Sequence, residues 1–197
     1  MSNKLEFDPA RTALLCMDCQ TAIVSAYTGD QQDEFLLRSA GILEAARNRG
    51  IQVIYVQVGF RPGFPEISSR NLLLNTIKNS PERRQMFEGA AREIHPKIAP
   101  TKNDPIVTKH RVSAFEGTDL DLLLRAKEID TLALFGIATS GVVLSTLTHA
   151  FDTDYKLFVI KDCCADGNPE LHNALIDRYF PSRGQVTTAA EFEQMIK

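Results

Sequence analysis

The chain has 197 residues, 44% hydrophobic and 24% charged, which is the composition of an ordinary globular protein with length enough for a substantial core. A formal net charge of -3 and a pI of about 5.8 supply no basic face and argue against nucleic acid as a partner. No apolar run approaches the ~20 residues that span a bilayer, and the opening M-S-N-K-L-E-F-D-P lacks the apolar stretch of a secretory leader, so a cytoplasmic protein without membrane partners is expected.

Strand and helix signals alternate along the chain. Thr12 to Met17 is a short apolar run that ends in a polar cluster, a first strand. Glu34 to Arg49 carries Phe35, Leu36, Leu37, Ala40, Ile42, Leu43, Ala45 and Ala46 at helical spacing and stops at Gly50 as a C-terminal cap. Ile51 to Val58 is β-branched and predicts a second strand. Gly59 to Pro65, with Gly63 and Pro62, predicts a loop. Between 66 and 103 the helical pattern weakens and is broken by Pro81, Pro96 and Pro100, which predicts an irregular insertion with one or two short helices.

Ile106 to Lys109 reads as a third strand, and Thr118 to Lys127 as a helix capped by Thr118. Thr131 to Phe135 gives a fourth strand, followed by a helix over Gly141 to Phe151. Leu157 to Ile160 is a fifth strand, Glu170 to Tyr179 a helix ending before Pro181, Gln185 to Thr187 a sixth strand, and Ala189 to Ile196 a closing helix. Six strands alternating with helices predict an α/β fold with a parallel sheet covered on both faces. No linker, low-complexity segment or internal repeat interrupts it, so one domain over 1–197 is expected.

The four cysteines are Cys16, Cys19, Cys163 and Cys164. Cys16 and Cys19 have the spacing of a redox dithiol or half a zinc site. A redox pair opens a helix, however, and Cys16 lies within an apolar strand. A zinc site needs a second pair at ligand spacing, which the adjacent Cys163 and Cys164 do not supply. Reduced, buried thiols are the simpler expectation.

Chemistry-bearing residues collect at predicted strand ends. L-L-C-M-D-C-Q places Asp18 after strand one, and I-V-T-K-H-R-V-S-A-F places Lys109 at the end of strand three. Strand four runs into G-I-A-T-S-G-V-V-L-S-T, a strand-to-helix turn. In an open α/β sheet, ligands gather at the carboxyl ends of strands, where backbone N–H groups of the next helix point outward. An acid, a lysine and a nucleophile on that turn would make a hydrolase site. The acid and the lysine are present.

These segments, with D-C-C-A-D at 162–166, resemble the isochorismatase-like hydrolase superfamily, also called the cysteine hydrolases, and the resemblance runs from about residue 10 to 190. It implies a Rossmann-like three-layer α/β/α sandwich around a six-stranded parallel sheet. The amidases of that family use an Asp–Lys–Cys triad. Carried over by motif, the aspartate is Asp18, the lysine is Lys109, and the cysteine position, directly after T-S-x, is Val142. A valine has no proton to lose and no lone pair, so the thiolate route is closed there.

The isochorismatases offer a second route, since they resemble this chain in keeping the acid and lysine without the cysteine. A protonated Asp18 would donate to an enol-ether carbon and water would add to the resulting oxocarbenium ion. The resemblance also implies a cis peptide between Ile137 and Ala138, a small-molecule substrate, and assembly into a homo-oligomer. Residues expected around the substrate are Gln20, Phe60, Arg61, Arg111, Phe115, Ile137 and Ala138, with Arg61, Arg111 and Lys109 suited to carboxylates.

No cofactor is expected. The family's zinc-dependent nicotinamidases carry D-x-H after strand two, where this chain has Val58-Gly59-Phe60-Arg61-Pro62, and His95, His110, His149 and His172 are scattered, so no metal is expected either. Thr139 and Ser140 read as helix N-caps as readily as replacement nucleophiles. Cys19, Cys163 and Cys164 are the remaining sources of a thiol. A second functional reading, motivated by Val142, is a non-catalytic member of the family that binds a ligand or acts as a scaffold.

Overall fold

The computed structural model describes residues 7–197. The first six, part of the stretch read above for a leader, lie outside them. The strands are β1 (Thr12–Met17), β2 (Gln52–Val58), β3 (Ile106–Lys109), β4 (Thr131–Ile137), β5 (Lys156–Ala165) and β6 (Gln185–Thr187). They form one sheet in the order β3-β2-β1-β4-β5-β6, with every neighbouring pair parallel. β1 and β4 are buried along their whole length, which is why both read as continuous apolar runs rather than alternating ones. From β1 the chain adds β2 and then β3 on one side, and after β3 it crosses to the other side for β4. The two halves part at the carboxyl ends of β1 and β4.

The helices are α1 (Thr21–Thr28), α2 (Gln32–Asn48), α3 (Leu72–Asn79), α4 (Pro81–Gln85), α5 (Leu120–Ala126), α6 (Leu144–Asp152), α7 (Pro169–Ala174) and α8 (Ala189–Met195). α2 buries Phe35, Leu36, Ile42, Leu43 and Ala46, the face its periodicity indicated. The insertion contains α3 and α4 as its two short helices. Among the described residues, no helix is long and apolar enough to cross a membrane.

Several boundaries depart from the sequence-based expectation. α1 was not foreseen: its Thr21, Ile23 and Val24 are β-branched and Gln20 makes no side-chain cap, so the helix depends on burying Ile23 and Val24. The cap of α5 is Asp119 rather than Thr118, whose hydroxyl instead accepts from the Leu120 amide at 3.3 Å. β4 extends two residues to Ile137. β5 continues through the polar Lys161 and Asp162 to Ala165, across a register shift opposite Leu134 and Gly136. The helix after β4 opens with a π turn (Thr139–Val143), and α7 continues into another (Leu175–Tyr179).

Candidate active site

Asp18 follows the last residue of β1. Its amide donates to the Val56 carbonyl at 2.8 Å, which extends the ladder one step, and its φ of 54° then turns the chain sharply away from the sheet. Gly136 on the neighbouring strand permits this turn. At φ 144° it leaves room for the Met17 carbonyl, which a Cβ would approach to 2.0 Å. Lys109 ends β3, paired in register with Val58, and reaches across the end of β2 to the acid.

The Lys109 Nζ lies 2.8 Å from Asp18 Oδ2 and also donates to the Arg111 carbonyl at 3.1 Å. The two side chains are only 3% and 8% exposed, so the pair is held away from bulk water. The other carboxylate oxygen, Asp18 Oδ1, is buried with no hydrogen-bond partner among the described residues. Burial pushes the Asp18 carboxyl above the ordinary carboxylate range, and the Lys109 ammonium offsets part of that rise.

Asp18 and Lys109 open on a cleft of about 350 Å³. One wall is the strand-end turn: Ile137, Ala138, Gly141 and Val142. Ile137 and Ala138 are joined by a cis peptide. Val142, only 2% exposed, lines the same cleft as the acid with an aliphatic side chain. The opposite wall comes from α1 and the insertion, with Ile23, Tyr27, Leu73, Leu74, Ile77, Arg83, Met86 and Phe87. Ala26, Val58, Arg111 and Val112 complete the lining.

Four of the expected substrate residues take other roles. Gln20 is fully engaged with backbone: its Oε1 accepts from the Val58 amide at 2.9 Å, and its Nε2 donates to the Val58 and Arg92 carbonyls. Arg61 lies outside the cleft, since its loop turns outward and Glu66 pairs with it at 2.6 Å. Phe60 packs behind the wall against Phe64 and Phe87, with centroids 5.4 and 5.5 Å apart. Phe115 stacks on His149 at 4.5 Å, which fastens the segment after β3 to α6 rather than lining the cleft.

The structure also assigns Thr139 and Ser140 differently from side-chain caps. The Ser140 amide is received at 2.7 Å by Asp166 Oδ2, from the segment after β5, and Ala138 occupies the cap position. The Thr139 hydroxyl lies 3.2 Å from the Ala165 carbonyl and 2.8 Å from His172 Nδ1. It can donate to the carbonyl and accept from the ring only if the Nδ1 carries its proton. Asp166 and His172 therefore anchor the turn that carries Val142.

All four thiols are free and buried, and none lines the cleft. Hydrogen bonding with Cys16, and burial, hold the Cys19 thiol well above its usual range. Burial does the same for Cys163 and pushes Cys164 up to about 12. Among the described residues, no three His, Cys, Asp or Glu side chains converge to hold a metal ion.

The residues that sequence reasoning missed are those of the outer wall. One signal was present: Asn71 followed by Leu73, Leu74 and Ile77 is a cap with a helical apolar face, and the Asn71 side chain accepts from the Leu74 amide. Arg83 had no such signal, because nothing local distinguishes it from Arg84 beside it.

A doubly wound parallel sheet with an acid–lysine pair over a cleft at its switch point defines an α/β protein that takes its ligand at the strand ends. Residues 12–191 match the isochorismatase domain, and the chain belongs to the isochorismatase family, a family of hydrolases. The uncharacterized isochorismatase family protein YwoC of Bacillus subtilis is 32% identical over the full length of both chains. Ureidoacrylate amidohydrolase RutB of Methylobacterium radiotolerans is 29% identical, covering 98% of this chain and 82% of that protein. In a solved structure, an isochorismatase family protein from Burkholderia thailandensis has a TM-score of 0.83 at 27% identity, covering 96% and 97% of the two chains.

Proposed function

We propose that this protein is a hydrolase of a small anionic molecule, with Asp18 as the proton-transferring residue, Lys109 as its electrostatic partner and no covalent thiol step. The observation that carries this reading is the state of Asp18: a carboxyl held above its usual range by burial, with one oxygen against Lys109 and the other unpartnered at a cleft. A carboxyl whose proton is held more tightly by burial is suited to deliver that proton to a substrate. Val142 supports the reading from the other side: it lines the cleft at the position that the family resemblance assigns to the nucleophile, and its side chain cannot attack.

The chemistry that fits is hydrolysis of a vinyl ether. The Asp18 proton passes to the terminal enol-ether carbon and leaves a carboxylate beside the Lys109 ammonium, which stabilises it. Water adds to the oxocarbenium carbon. The hemiketal then collapses to a ketone and the free alcohol, and the proton released from water returns to Asp18. An amide route on the same residues runs with Asp18 ionised: it takes a proton from the attacking water and delivers it to the leaving nitrogen. The raised carboxyl favours the first route. Arg111 and Lys109 supply the positive charge for an anionic substrate.

The test is turnover of vinyl ethers, ureido acids and simple amides by pure protein. Asp18→Asn is expected to lower kcat/KM about 10²- to 10⁴-fold on whichever class responds. Equal rates for the two proteins sink the assignment. The ligand-binding reading, which Val142 also motivates, stands if ligands bind and no class is turned over.

A further inference from the structure

Two guanidinium groups in the cleft have no acid to match them. Lys109 is paired with Asp18, the cleft's one acidic lining residue. Arg111 spends one nitrogen on the His110 carbonyl, and Arg83 one on the Thr76 hydroxyl at 2.8 Å. Neither forms an ion pair among the described residues, a state they share with Arg49, Arg70, Arg84, Arg178 and Arg183, but of these arginines only Arg83 and Arg111 line the cleft. Positive charge held against apolar walls focuses its field on whatever enters.

The two arginines also sit on different elements. Arg111 follows β3 at the sheet edge, and Arg83 lies in α4, within the insertion. Arg83 is oriented by a specific device. The Thr76 hydroxyl gives its proton to the Leu73 carbonyl at 2.7 Å, so its oxygen is left to accept from Arg83 Nη1. Among the described residues the remaining guanidinium donors have no protein partner, and they form the fork that suits a carboxylate.

We propose that Arg83 is a specificity-determining residue that binds a second acid group of the substrate, and that the substrate class is a small apolar-bodied molecule with two acid groups. One group is held at the sheet edge by Arg111 and Lys109, the other by Arg83 on the outer wall. The inference rests on the reading of this cleft as the substrate site, but its test requires binding alone.

The experiment is calorimetric titration of the intact protein at low ionic strength with straight-chain dicarboxylates of four to eight carbons, each against the monocarboxylate of equal length. At one chain length or more the dicarboxylate is expected to bind at least tenfold more tightly. Arg83→Gln is expected to abolish that preference while monocarboxylate affinity stays within twofold. Arg84→Gln, which removes the same charge from the adjacent position outside the cleft, is expected to retain it. Arg83 is exposed, so its substitution leaves the fold intact, and an unchanged melting temperature verifies this. Equal affinities at every length, or a preference that survives Arg83→Gln, overturns the proposal. A protein that prefers dicarboxylates yet hydrolyses nothing overturns the hydrolase reading and leaves this one standing.

Discussion

Asp18 is a buried acid whose proton is worth more to the folded chain than to the unfolded one, and that has a sign. Below the ordinary carboxylate pKa, near 3.9, both states hold the proton. Above it the unfolded chain releases the proton while the native carboxyl, raised by burial, retains it. Asp18 therefore contributes stability at acid pH that is lost as pH rises through its native pKa. Other carboxyls, such as Asp104 and Asp166, are lowered and slope the opposite way, so the comparison must be with Asp18→Asn. Urea midpoints measured from pH 4 to 8 are expected to show the native protein losing ground to the variant as pH rises. Vinyl-ether turnover is expected to fall through the same window. At Val142, substitution by cysteine would place a thiol in the cleft beside Asp18. Mass spectrometry after brief iodoacetamide treatment is expected to show one more modified thiol in Val142→Cys than in the native protein, because position 142 lines the cleft and none of the four native thiols does. Amide hydrolysis gained by that variant would mark the acid and lysine as competent for the thiolate route. Asp18 and Lys109 were legible in the sequence because strands end at them, Asp18 just after β1 and Lys109 as the last residue of β3, whereas Val142 lies beyond the end of β4 and was reached only through the family resemblance.

At the scale of elements, the sheet was legible and the cover less so. β1, β3 and β6 follow the expected boundaries, β1 and β3 because their apolar residues give way to polar ones at the strand end. β5 runs on past its apolar segment because pairing with β4, and Asp162 accepting from the Ala189 amide at 2.8 Å, hold a polar stretch in the sheet. α1 was illegible for the reason tertiary packing overrides propensity: eight residues with β-branched members form a helix only against a core. The junction of β1 and β4 depends on Gly136. Gly136→Ala is expected to cost about 2–6 kcal/mol, the sum of a backbone strain and an overpacking term. Gly29→Ala, also at positive φ but with nothing within 4 Å of the added carbon, is expected to cost about 1 kcal/mol. Chemical denaturation of the two variants tests the difference, and a Gly136→Ala protein as stable as Gly29→Ala would refute the close approach.

In the whole molecule the cleft has two walls of different origin. The inner wall is made of strand ends and the turn after β4, whose geometry the parallel sheet dictates. The outer wall is α1 and the insertion, whose placement depends on contacts between residues far apart in sequence. That division explains why the acid–lysine pair could be read early while Arg83, Met86 and Phe87 could not. It also explains why the position of Arg61, on a loop that turns away to meet Glu66, was not legible in the sequence.

The anchoring of Gln20 carries this further. Its side chain holds the Val58 end of β2 and the Arg92 carbonyl together, the His95 amide donates to the Cys19 carbonyl, and the Thr21 amide to Glu93. The root of the insertion is thus riveted to the three residues that follow the acid, while α3 and α4 project beyond the rivet. The outer wall is in effect a replaceable jaw on a fixed mount. A graft that exchanges residues 66–88 and leaves Gln20 and residues 92–95 in place would alter what the cleft grips without disturbing the group that acts on it.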